Sequence, residues 1–466
     1  MLARLVLTSL LVVAAISCGA PDSALSFGRC PASIKGLECT TVEVPLDYAD
    51  ASGPQLTIAI SRLRASGPAD RRRGVLLVNP GGPGGPGLEY AALKGGRLPQ
   101  AVREAFDVIG FDPRGVGHSS PIDCGPMGGL FDHPGPDPLQ VDHPTQLREM
   151  ARDCAIAAGP VLPHISTANT ARDMDRIRAA LGVPKLSYLG VSYGSWLGAE
   201  YARLFGDRVD TMVLDSVVGP GSWYDLDVQQ TVALLAQRDV FFAWLAARRE
   251  EFGLGGTADE VRAAYAEVRD RLPIDGFGPA EFDRVVYRAL GRTERWRPLG
   301  IGLRKFLMEG DLAGLRPKVP FGSPKDRNHE AVNRAVKCAD TPDVVTSEVI
   351  ARDRAWLQQI DPSPVLTGMQ ADVCAYWPQH GGPTTGTGVA VLLVAAAHDP
   401  VTPIDGARKE QQALPGSRLV TEIDGYSHGV FADQHDQCVD DAVADYLLTA
   451  ALPHEDLNCP GPGLPG

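Results

Sequence analysis

Hydrophobic and polar positions change their period several times along this chain. Thr40–Val44 and Leu56–Arg64 alternate or run apolar, as strands do, on either side of a turn-forming DYADASGPQ stretch. GVLLVNPGGPGGPG, from Gly74 to Gly87, is an apolar run that ends in glycines. FDVIGFDPRGVGHSSP, from Phe106, is another that ends in a loop. TANTARDMDRIRAALG then sets Met174, Ile177 and Leu181 at helical spacing. LSYLGVS predicts a strand, YGSWLGAEYARLFG a helix closed by Gly206, and TMVLDSV a further strand. Strand and helix alternate, which predicts an α/β fold whose mostly parallel sheet is covered by helices on both faces.

The rhythm breaks between about Gly219 and Gly386, where the pattern is almost wholly helical and no parallel strand fits. DVQQTVALLAQRDVFFAWLAARREEF and TADEVRAAYAEVRDRL are the clearest helices, and Thr257 with Glu260 has the form of a capping box. The alternation resumes with VAVLLVAAAHDPVTP, a helix near Ile404–Ala413, a strand in SRLVTEIDGYSHGVF and a last helix in CVDDAVADYLLTAAL. The expected organisation is a leader at 1–18, a first sheet segment at 30–218, a helical cap or lid at 219–386 and a second sheet segment at 387–459. The tail beyond Cys459 is expected to be loose.

Composition adds compartment and exclusions. The 466 residues carry a formal net charge of -13, so a phosphate-tracking surface for nucleic acid is not expected. The one basic cluster, Arg71–Arg73, reads as a solvated loop. In MLARLVLTSLLVVAAISCGA, Arg4 precedes the apolar run Leu5–Ile16, too short to span a bilayer and suited to an export signal. Its end, Ala15-Ile16-Ser17-Cys18, resembles a bacterial lipobox. Lipidation at Cys18 would anchor the chain to the outer face of the cell membrane. An ordinary signal peptide cut near Cys18 or Ala20 is the alternative. Nine cysteines are present. Without Cys18 the remaining eight fall into sequential couples, and the expected disulfides are Cys30–Cys39, Cys124–Cys154, Cys338–Cys374 and Cys438–Cys459. No zinc-ligand spacing occurs, and the glycines at Gly81–Gly87 lack the Lys-Ser/Thr of a phosphate loop, so neither metal nor cofactor is expected.

Ligands of an α/β sheet sit at the carboxyl ends of its strands. Backbone donors at Gly81, Gly82 and Gly84 follow the strand at Val75–Asn79. Ser192 follows Leu186–Gly190, Asp399 follows Val389–Ala397, and His428 follows Leu419–Ile423. A serine hydroxyl needs a base within reach, which His428 can be. A carboxylate such as Asp399 would fix the imidazole tautomer and stabilise the imidazolium. The amides of Tyr193 and of the glycine loop could hold an oxyanion. Asp215 is a rival acid, and His398 and His435 are rival bases.

NPGGPGGPG, GFDPRGVGHSS, GVSYGSWLGAEYARLF, AHDPVTP and GYSHGVF, in that order, resemble the α/β-hydrolase superfamily. More narrowly they resemble its exported tripeptidyl aminopeptidase and prolyl-iminopeptidase-like branch. The resemblance implies an α/β-hydrolase fold with a helical cap and a Ser192–Asp399–His428 triad. The oxyanion glycine maps to Gly82, in a motif whose usual leading histidine is Pro80 here. It also implies serine hydrolysis of a peptide near its free N-terminus. Glu89, Asp225, Asp227 and Asp340 are the candidate carboxylates for the substrate ammonium. An esterase or amidase acting on small acylated molecules is the alternative.

Overall fold

The computed structural model describes residues 25–32, 34–125, 143–317, 322–341, 345–361, 370–382, 384 and 386–466. The leader at 1–18, with Cys18, lies outside the described residues.

Ten strands form one sheet: β1 (Gly28–Arg29), β2 (Glu38–Pro45), β3 (Gln55–Leu63), β4 (Gly74–Asn79), β5 (Phe106–Phe111), β6 (Leu186–Val191), β7 (Val209–Asp215), β8 (Leu392–Ala396), β9 (Arg418–Glu422) and β10 (Leu457–Cys459). Their spatial order is β1-β2-β3-β5-β4-β6-β7-β8-β9-β10. β1, β2 and β3 form an antiparallel edge, and β3 runs antiparallel to β5. From β5 to β10 every pairing is parallel.

Burial explains the two kinds of strand. β6 and β8 are buried at every residue, as parallel strands covered on both faces must be. In β2, by contrast, Val42 and Val44 turn inward while Thr41 and Glu43 face out. Within the continuous apolar runs the period of two still sorts the faces. Leu77, Tyr188 and Leu214 join one core with the helices Thr167–Ala180 and Tyr193–Leu204. Leu76, Val78, Leu189 and Val213 join the other with Val439, Val443 and Leu447 of the helix Gln437–Thr449.

The helical stretch between β7 and β8 does not fold as one cap. Trp223–Ala246, Ala258–Asp270, Pro279–Leu290 and Trp296–Glu309 build a core of their own around Phe241, Phe242, Trp244, Phe282, Trp296 and Phe306. Pro324–Ala339 instead buries Ala331, Val332, Ala335 and Val336 in the main core, where the Cys338–Cys374 disulfide ties it down. The Thr257–Glu260 capping box is formed. The other disulfides join Cys30 to Cys39, Cys124 to Cys154 and Cys438 to Cys459.

Two local expectations give way. The helix after Ser192 ends at Leu204, and Gly206 begins a short 3-10 turn. The tail beyond Cys459 is strapped down rather than loose. Gly463 N donates to Asp424 O, Trp244 Nε1 and Arg248 Nη2 donate to Pro465 O at 2.7 and 2.8 Å, and Arg297 Nη2 donates to Gly466 O at 2.6 Å. Proline and glycine, which mark loops in a sequence, leave free carbonyls here that the cap's donors take.

Candidate active site

The chain leaves β4 for β5 on one side and returns to β6 on the other, so the loops after β4 and β6 part and open a crevice between them. The glycine loop lines one side of it and Ser192 the other. Ser192 has φ 61° and ψ −127°, a conformation that costs a non-glycine residue of order 1–3 kcal/mol. Its surroundings hold it there: Ser192 N donates to Asp215 O at 2.9 Å, and Ser192 O accepts from Ser195 N and from Ser195 Oγ. The flanking glycines are steric requirements. A Cβ on Gly190 would lie 2.2 Å from Gly194 O, and one on Gly194 would lie 2.9 Å from Asn79 O. Gly81 packs as closely, since its Cβ would lie 2.4 Å from Val191 O. As the first residue of its helix, Tyr193 has an amide with no intrahelical acceptor, and the helix dipole directs positive potential at the crevice. Gly82 and Tyr193 line the same cavity as Ser192.

Asp399 and His428 come from the loops after β8 and β9. Asp399 Oδ2 lies 2.8 Å from His428 Nδ1, and the carboxylate also accepts from Val401 N, Thr402 N and Thr402 Oγ1. Burial pushes this carboxyl up, but the His428 imidazole and the loop amides outweigh it and hold the group below its ordinary value. With Nδ1 turned to Asp399, Nε2 is the ring atom left to face a hydroxyl. Asp215, the rival acid, takes a different part: its carboxylate accepts from Val430 N and Phe431 N, and Ser216 Oγ accepts from Gly429 N. Both residues therefore hold the backbone that follows His428. Burial drives the Asp215 pKa up to about 6. His398 stacks on Tyr426 with ring centroids 4.4 Å apart.

Ser192 stands between two cavities. One, of about 100 Å³, is lined by Gly82, Tyr193, Trp223, Asp227, Tyr287 and Lys337. The other, of about 730 Å³, is lined by Lys35, Pro80, Glu89, Arg292 and His428. Four carboxylates were candidates for a substrate ammonium. Asp227 and Glu89 line these cavities, Asp227 being ion-paired to Lys337 at 2.7 Å. Asp225 is exposed and bonded to Ser222 at the start of its helix. Asp340 is buried against Thr167, whose hydroxyl reaches Tyr193 at 2.7 Å, so it braces the helix after Ser192 without lining either cavity. Burial lifts the Asp340 pKa to about 7.

Cap residues that the sequence did not single out hold both loops of the site. Gln230 Nε2 donates to Val401 O at 2.7 Å, and Gln237 Nε2 donates to Tyr426 O at 3.0 Å. His428 N donates to Gly291 O, and Thr293 N donates to Ser427 Oγ. Arg292 sits between these last two anchors. Its one signal in the sequence is the four-residue spacing Arg284, Arg288, Arg292.

Comparison with known proteins places the chain. Residues 74–272 match the family described as alpha/beta hydrolase fold, and residues 363–459 match that described as TAP-like protein. The sequence is 37% identical to "Tripeptidyl aminopeptidase" of Streptomyces coelicolor, over 91% of this chain and 83% of that protein. The chain belongs to the α/β-hydrolase family, in its tripeptidyl aminopeptidase-like branch. It is an enzyme, a serine hydrolase. At 30% identity it is also similar to "Serine protease Hip1" of Mycobacterium tuberculosis, over 91% of this chain and 87% of that protein. At 32% it is similar to "Carboxylesterase B" of the same organism, with the same two coverages.

Proposed function

We propose that the protein is an exported aminopeptidase that releases short peptides from free N-termini through an acyl-enzyme on Ser192. The observation that carries this reading is the Asp399–His428 pair at 2.8 Å, whose histidine lines one cavity with a serine on a strained elbow. His428 takes the Ser192 proton as the hydroxyl attacks the scissile carbonyl. The oxyanion is met by the amides of Gly82 and Tyr193. His428 returns the proton to the leaving amine, and water reverses the sequence to release the acyl product. Asp399 keeps Nδ1 occupied and stabilises the imidazolium.

The smaller cavity suits the side chain of the residue whose carbonyl is attacked, and the cap closes it. Asp227, on the cap helix beside it, is the carboxylate we assign to the substrate ammonium, with Lys337 setting its orientation. Export is supported by four disulfides, which persist in oxidising compartments. We extend the proposal to lipid anchoring at Cys18. The tripeptide length follows the name of the Streptomyces relatives.

The second reading, an esterase or amidase with the same residues, is supported by the relative named carboxylesterase. Peptidyl anilides with free and acetylated N-termini, beside p-nitrophenyl esters, decide between the two. Cleavage of the free peptides only supports the aminopeptidase. Rapid ester turnover with no peptide cleaved refutes it.

A further inference from the structure

The larger cavity beside Ser192 carries an unusual charge for so acidic a chain. Arg292 lines it together with His428, and its side chain is only about a quarter exposed. Among the described residues this guanidinium donates no hydrogen bond. Its ion-pair contacts, to Glu294 and Asp433, are both as long as 3.9 Å. Glu294 is largely solvated, and Asp433 is already held by Lys94 at 3.2 Å and Arg97 at 2.6 Å. One buried carboxylate is thus shared by three cations, and Arg292 is the one left over.

The neighbours sharpen the excess. Arg295 has its pKa lowered by burial and then by the charges of Arg292 and Arg288, so positive groups crowd this part of the cap. Lys35 lines the same cavity from the β1–β2 connection. Glu89, at its rim, is the opposing charge. The backbone at Arg292 is anchored on both sides, because Gly291 and Thr293 are hydrogen-bonded to the loop that carries His428. A planar guanidinium with unused donors, lining one cavity with Ser192 and His428, is the arrangement that binds a carboxylate.

The direction of the substrate follows from the chemistry. His428 delivers its proton to the leaving atom, and His428 lines this cavity. The oxyanion amides line the other. We propose that Arg292 binds a carboxylate on the leaving part of the substrate, making the enzyme selective for cleavage in front of acidic residues. This rests on Ser192 and His428 acting as nucleophile and base.

The test uses matched leaving groups on the full-length enzyme. One set is tripeptidyl substrates whose leaving residue is Asp or Glu against Asn or Gln. The other is butyrate esters of glycolic acid against glycolamide, which do not require peptidase activity. Wild type should favour the charged member of each pair by about tenfold or more in kcat/KM, mostly through KM, the size of a hydrogen bond to a charged group. Arg292→Gln should bring the ratio near one, Arg292→Lys should keep part of it, and Arg292→Glu should reverse it toward lysine-leaving peptides. Labelling of Ser192 by a fluorophosphonate counts the folded sites in each variant. A wild-type ratio near one in both sets, or a ratio unchanged in Arg292→Gln, overturns the proposal. A ratio seen in the esters with every peptide refused supports Arg292 and defeats the aminopeptidase reading instead.

Discussion

The Nδ1 of His428 lies 2.8 Å from the Oδ2 of Asp399. That contact sets the tautomer, since a hydrogen on Nδ1 leaves Nε2 as the acceptor for the Ser192 proton in the proposed mechanism. Asp399→Asn keeps the shape but lets the ring take the other tautomer. It should lower kcat by roughly 10³–10⁴ while the circular dichroism spectrum stays native. A loss below tenfold would mean that the acid is another group.

The cap is expected to matter to the chemical step as well as to access. Ser427 Oγ accepts from Thr293 N at 3.1 Å and meets Thr293 Oγ1 at 2.9 Å, directly before His428. Ser427→Ala removes both contacts. Steady-state kinetics should show kcat falling about tenfold with KM little changed, the signature of a mispositioned base. A change confined to KM would mean that the cap acts only on entry.

Gly190→Ala tests the elbow. Its Cβ would lie 2.2 Å from Gly194 O, which is backbone and cannot turn aside. Urea unfolding should show a loss of about 1–3 kcal/mol or more, together with lost activity. A variant as stable as wild type would contradict the packing described.

Glu422, on β9, has both carboxylate oxygens buried without a hydrogen-bond partner among the described residues, and burial lifts its pKa to about 8. A carboxyl raised above its unfolded value destabilises the fold as pH climbs. The unfolded chain gives up its proton near pH 4.5, while the folded chain must pay the burial cost of the charge or keep the proton until about pH 8. Glu422→Gln cannot ionise. Its Tm margin over wild type should be smallest below about pH 4, open as the pH passes 4.5 and grow up to about pH 8. A constant margin would show that Glu422 does not titrate across that window.

Much of this was legible in the sequence, for identifiable reasons. Apolar runs too short for helices, each followed by glycine, serine, aspartate or histidine, marked the strand ends that meet at the crevice. Thr257 and Glu260 marked a helix start because capping is local. Three features needed tertiary structure. β1 and β10, with two and three residues, are too short to show a period. Asp225 and Asp227 stand two residues apart, yet the first is exposed at a helix start and the second is buried beside Ser192. Arg292 carries no local signal of its place in the site, because only the fold sets its neighbours Gly291 and Thr293 against the loop of His428.

The central claim is that Ser192 is the nucleophile of an enzyme that requires a free N-terminus. The most direct measurement is the hydrolysis of one tripeptidyl p-nitroanilide, free and N-acetylated, by wild type and by Ser192→Ala. Wild type should release p-nitroaniline rapidly from the free peptide and slowly from the acetylated one, and Ser192→Ala should release none above background. Equal rates for wild type and Ser192→Ala would contradict the claim.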